Sequence, residues 1–63
     1  MDTPPSDEKV AEQIKISVEQ VEQYRDSSIR RADGLWVITF RFDMPQKLRH
    51  HLTGSFSLVM PGE

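Results

Sequence analysis

Residues 28–42 read Ser-Ile-Arg-Arg-Ala-Asp-Gly-Leu-Trp-Val-Ile-Thr-Phe-Arg-Phe, and this stretch decides the fold. Asp33-Gly34 is a strong turn signal, because both central residues of a type I′ turn need positive φ, which Asp and Gly tolerate. A two-residue hairpin here sets Ala32 opposite Leu35, Arg31 opposite Trp36 and Ile29 opposite Ile38. Directly opposed residues share a face. One face is therefore expected to hold Ile29, Trp36, Ile38, Phe40 and Phe42, a period-2 apolar row that makes it the core side. The other holds Arg30, Leu35, Val37, Thr39 and Arg41. For the first arm, 28–32, a helix running to Ala32 with Gly34 just past its end is the alternative to a strand.

Upstream of the hairpin, Val10, Ala11, Ile14, Val18 and Val21 recur at helical spacing from Asp7 onward. Ser17 followed by Gln20 is a capping box, and Ile16 with Val21 fills the positions of a hydrophobic staple, so a second helix is expected to begin at Ser17. One unbroken helix over 8–27 also fits the apolar spacing. Residues 1–6, with Pro4 and Pro5, read as a disordered tail ahead of a single domain over 7–63. Downstream, Asp43 can cap a short helix with Met44, Pro45 and Gln46 at its start and Leu48 and Leu52 on its inner side. Gly54 ends it. Ser55 to Met60 alternates again, with Phe56, Leu58 and Met60 toward the core. The expected class is α+β, an N-terminal helix or helix pair packed on a small antiparallel sheet of two to three strands.

Sixty-three residues with no cysteine exclude disulfides and thiolate zinc sites. So small a core leaves little margin, which makes a homodimer the natural expectation. No stretch is long and apolar enough to cross a membrane. The acidic, proline-bearing N-terminus does not read as a signal or transit peptide, so the expected address is the cytoplasm. The net charge of −2 is unevenly placed: residues 1–24 hold two lysines against six carboxylates, and residues 25–63 hold six basic against four acidic groups.

Nothing in the chain reads as catalytic. His50 and His51 are adjacent and diverge, so they do not grip one metal in a simple way. No metal-binding HExxH, phosphate-cradling glycine loop or nucleophile elbow is present. A domain of this size also struggles to enclose a pocket of ~300 Å³. No enzyme activity, metal or cofactor is expected.

Residues 7–26, DEKVAEQIKISVEQVEQYRD, resemble a helix-turn-helix of the small winged excisionase and MerR type. Ala11 stands where that pattern wants a small residue. Val10, Ile14, Ile16, Val21 and Tyr24 stand where it wants apolar ones, and Ser17 opens the second helix; the usual turn glycine is replaced by Lys15. The resemblance implies DNA binding. Gln20 and Gln23 would read base edges, with Arg25, Arg30, Arg31, Arg41, Lys47 and Arg49 supplying phosphate contacts from the wing and the 47–51 turn. Glu19 and Glu22 on the same helix would repel a polyanion. A cross-strand cation–π pair of Arg31 on Trp36 is the structural alternative for that arginine.

The expectation ranked first is a small non-enzymatic regulatory or adaptor module acting through protein–protein contact or homodimerisation. Leu35, Val37 and, by alternation, Val59 on the last strand would form a semi-apolar outer face that a partner covers. An exposed edge strand could equally pair across a two-fold axis.

Overall fold

The computed structural model describes residues 3–63. Helix α1 spans Asp7–Ile14 and helix α2 spans Val18–Tyr24. Three strands follow, β1 over Arg25–Arg30, β2 over Leu35–Phe40 and β3 over Ser57–Pro61. They form one antiparallel meander in the order β1-β2-β3. The chain is thus α+β, with the helices on its N-terminal side.

The break between the helices is where the capping signal puts it. Ser17 Oγ accepts from the Gln20 N–H, and Gln20 Oε1 accepts from the Ser17 N–H, each at 3.1 Å. Ile16, half-buried, packs on the cluster that contains Val21. Helix α1 ends on Lys15, whose φ of 63° and ψ of 40° are left-handed. The Ile16 N–H then reaches back to the Ala11 carbonyl at 3.1 Å, the bond that closes a Schellman-type end. At the other end of α1, Ser6 Oγ accepts from the Lys9 N–H, and Asp7 and Glu8 complement the helix dipole.

The hairpin differs from expectation by one residue. Gly34 N–H bonds the Arg31 carbonyl and Arg31 N–H bonds the Leu35 carbonyl, so the loop is the three residues 32–34, with Gly34 at φ 88°. A three-residue loop with a left-handed glycine at its end is the next commonest hairpin after the two-residue turn. Register therefore pairs Arg30 with Trp36, Ile29 with Val37 and Ser28 with Ile38. A slip of one residue moves each side chain of β1 to the opposite face. Ile29 is accordingly not a core residue but lies outward, 59 % exposed, and Ser28 takes the core side opposite Ile38. Phe42 also leaves the core row: β2 ends at Phe40, and Phe42 is 87 % exposed.

The core is built from Val10, Ala11, Ile14 and Val21 of the helices, Ile38, Phe40, Leu58 and Met60 of the strands, and Met44. Trp36, Tyr24, Leu48 and Leu52 pack around it, half-buried. Inward aromatic residues after the bend are thus Trp36 and Phe40. Where a short helix was expected after Asp43, a single 3-10 turn forms over Gln46–Leu48. Pro45 sits just before it and Arg49 closes it onto the Gln46 carbonyl.

Residues 3–6 of the expected disordered tail are instead docked; residues 1 and 2 of that stretch lie outside the described residues. Thr3 and Glu63 exchange backbone hydrogen bonds of 3.1 and 2.9 Å, Thr3 Oγ1 donates to the Glu63 carbonyl, and the Ser6 N–H donates to Glu63 Oε2. Pro5 is fully buried. Gly62 lies against the indole of Trp36, where an added Cβ would stand 2.5 Å from Nε1 and 2.7 Å from Cδ1. Trp36 Nε1 is buried there, without a hydrogen-bond partner among the described residues.

Candidate functional site

The sheet has two unlike faces. Trp36, Ile38 and Phe40 of β2 turn toward the helices, so alternation turns Leu35, Val37 and Thr39 away. Register then builds the outer face in rows across the strands. Ile29, Val37 and Val59 form an apolar row, and Ser27, Thr39 and Ser57 form a hydroxyl row beside it. Leu35 stands opposite Pro61 on the other side. Leu35, Val37 and Val59 are half-buried, and among the described residues no helix lies over them. The residues expected as a partner face thus share one surface, and Ile29, assigned to the core by the wrong register, completes it.

Both ends of this face carry charge. At the hairpin end Arg31 pairs with Asp33 at 2.9 Å. At the far end Asp26 forms a β-bulge, standing between the levels of Thr39 and Phe40 without a cross-strand partner. It lines an open depression of about 380 Å³ with Thr39, Phe40, Arg41, Phe42, Phe56 and Ser57. That is larger than expected of so small a domain, although it is a groove and not an enclosed cavity. Phe42 meets Phe56 edge to face, with centroids 5.2 Å apart, and the Arg49 guanidinium stacks on Phe56 at 4.3 Å. Arg41 pairs with Asp43 at 3.3 Å. Asp26 makes no ion pair or side-chain hydrogen bond among the described residues.

The edges of the sheet are blunted, which matters because an open edge pairs with other chains. Beyond β3, the Val59 N–H is taken by Thr53 Oγ1 at 3.1 Å and the Ser57 carbonyl by the Gly54 N–H at 2.9 Å. Pro61 offers no N–H at all. The opposite edge, β1, is interrupted by the bulge at Asp26.

The residues suggested for DNA contact are dispersed and mostly engaged. Gln20 is held by its own capping box. Arg25, with a side chain 16 % exposed, bonds Asp7 at 2.8 Å and Ser28 at 2.7 Å and ties α1 to the start of β1. Arg49 donates to the carbonyls of Met44 and Ser55. Gln23, Arg30 and Lys47 are exposed. Arg31 turns to Asp33 and not to Trp36, whose cross-strand neighbour is Arg30. His50 and His51 are exposed.

Comparison with protein-family models, with curated proteins and with solved structures finds no match.

Sequence reasoning missed the Asp26–Phe42–Phe56 groove. The signal was present as two aromatic residues flanking a strand end, but the bulge that brings Asp26 beside them has no local signature in the sequence.

Proposed function

We propose that this domain is a small non-enzymatic binding module, of the adaptor or regulator kind, that works through protein–protein contact on the outer face of its sheet. The observation that carries this reading is the apolar row Ile29–Val37–Val59, which crosses all three strands on the side away from the helices. Apolar rows rimmed by charged groups mark interaction surfaces. With the edges blunted, the face is the more suitable surface for a partner. The test is a photo-crosslinking amino acid placed at Val37, compared with one at exposed Glu12 on α1. Adducts to protein at Val37 and none at Glu12 are expected. Equal labelling at both positions, or none at Val37, refutes the reading.

DNA binding is the second reading. It rests on the left-handed Lys15 between α1 and α2, which occupies the place of the turn glycine in a helix-turn-helix. The exposed Glu19 and Glu22 on α2 weigh against it. Affinity for mixed duplex fragments should then fall steeply with salt, with a shallower slope when Arg30 and Arg31 become Ala. Absence of binding at low salt removes this reading.

A further inference from the structure

The outer face is close to self-complementary along the strand direction. Measured in positions along β2, Arg31 stands at the level of Leu35, two positions from Val37, because its N–H bonds the Leu35 carbonyl. Asp26 stands between Thr39 and Phe40, two to three positions from Val37 on the other side. The Arg31 guanidinium, already paired with Asp33, and the Asp26 carboxylate, without a partner among the described residues, thus flank the apolar row at nearly equal distances, both on or next to β1. With a rise of ~3.4 Å per residue, each lies ~7–9 Å from the row, within reach of an arginine side chain.

We propose that the partner of this face is a second copy of the chain, stacked face to face about a two-fold axis that runs along the Ile29–Val37–Val59 row. This rests on the reading of the outer face as the binding surface. Such an axis lies across the strands, so β1 stacks on β1 of the second copy with its direction reversed. Ile29, Val37 and Val59 then pack near their own counterparts, in the manner of aligned sheets ~10 Å apart. Leu35 faces Thr39 of the other copy. Arg31 of each copy meets Asp26 of the other, twice by symmetry. Its five N–H donors can serve Asp33 and the second carboxylate together. The exposed Phe42 comes to lie by the hairpin loop of the other copy. The opposite choice, an axis parallel to the strands along β2, would stack β1 on β3 of the other copy and leave Arg31 facing the Pro61 level and Asp26 the Ser57 end, with no charge opposite either.

The size of the face sets the affinity. Three strands ~4.8 Å apart over five or six positions of ~3.4 Å give roughly 250–300 Å² per copy. That is well under a tenth of the 4190 Å² surface of the chain. Two such faces fall below the ~1,200 Å² at which stable specific complexes begin, so a weak, transient dimer in the micromolar range or above is expected.

Sedimentation equilibrium across micromolar concentrations tests this, with folding of each variant followed by circular dichroism. The parent chain should shift reversibly from a 7.3 kDa species to one of twice that mass. Asp26→Arg and Arg31→Asp should each weaken the dimer about tenfold or more, and the double variant should restore it. Because the chain has no cysteine, cross-linking gives a check independent of these charges. A short bismaleimide should join Leu35→Cys chains to Thr39→Cys chains faster than it joins either to itself. Restoration by the double variant together with that cross-link supports the proposal. A chain that stays 7.3 kDa overturns it, while leaving the outer face as a binding surface if Val37 still cross-links to another protein. A dimer whose charge variants fail to rescue, or whose Leu35→Cys chains cross-link chiefly to one another, overturns the proposed arrangement.

Discussion

Replacing Gly62 by Ala should unfasten the two ends of the chain and report it through a single fluorophore. The new methyl would fall on Trp36 Nε1 and Cδ1, at 2.5 and 2.7 Å, and on the Thr3 carbonyl oxygen, so something must move. If the contact is kept, overpacking costs ~1–3 kcal/mol. If residues 3–6 undock, four hydrogen bonds are lost: Thr3 N–H and Thr3 Oγ1 to the Glu63 carbonyl, Glu63 N–H to the Thr3 carbonyl, and Ser6 N–H to Glu63 Oε2. These bonds are exposed, so ~0.5 kcal/mol each, near the low end of the usual net value, gives ~2 kcal/mol in all. The cheaper route limits the loss to about that figure. For a domain of this size each kcal/mol moves Tm by ~4–8 °C, so a fall of ~8–16 °C is expected by circular dichroism. Trp36 is the only tryptophan, and its emission should shift to the red as the cover lifts. Gly54→Ala is the control. Its Cβ would meet the Ser57 hydroxyl at 2.6 Å, the mobile end of a side chain, and the effect should stay within ~0.5 kcal/mol. Equal melting of Gly62→Ala and the parent, with unchanged emission, would refute the reasoning.

Other substitutions test separate links. Lys15→Gly relieves a left-handed residue at the end of α1 and should raise stability by ~0.5–1 kcal/mol in thermal melts, the gain from φ outweighing the freedom glycine adds to the unfolded chain. Ser17→Ala removes the α2 cap and should cost ~1 kcal/mol by urea unfolding. Ile38→Ala and Ile29→Ala make a paired test of register, read at concentrations where the chain is monomeric. The first empties a fully buried site and should cost ~2–5 kcal/mol, whereas the second, more than half exposed, should cost well under ~1 kcal/mol. Similar losses at both positions would contradict the observed hairpin. Arg25→Ala breaks the bonds to Asp7 and Ser28 and should lower stability by ~1–2 kcal/mol, with Lys at that position recovering only part.

Much of the fold could be read from local chemistry. Ser17 and Gln20 cap each other through atoms within one turn, so their pattern sufficed to place the helix break. The apolar spacing of Val10, Ile14 and Val21 likewise found the buried helical face. The errors came where neighbouring geometry decides between local options. Asp33-Gly34 supports either a two-residue or a three-residue loop, and only the pairing of β1 selects the second. That choice carried Ile29 from the core to the outer surface. Phe42 continued the alternation of β2 in the sequence, but the strand stops at Phe40 and the alternation stops with it. The docking of residues 3–6 depends on Glu63, sixty positions away, and nothing near Pro4 and Pro5 signals it. Leu35, Val37 and Val59 were identified as one outward surface because period-2 patterning survives any uncertainty in loop length on the far side of the hairpin.

The pairing of Thr3 with Glu63 nearly closes residues 3–63 into a loop. Thr3 and Glu63 face one another as opposed residues of a ladder do, each bonding the other in both directions. A covalent link between positions 3 and 63 would then shorten the span open to the unfolded chain while asking little movement of the folded one.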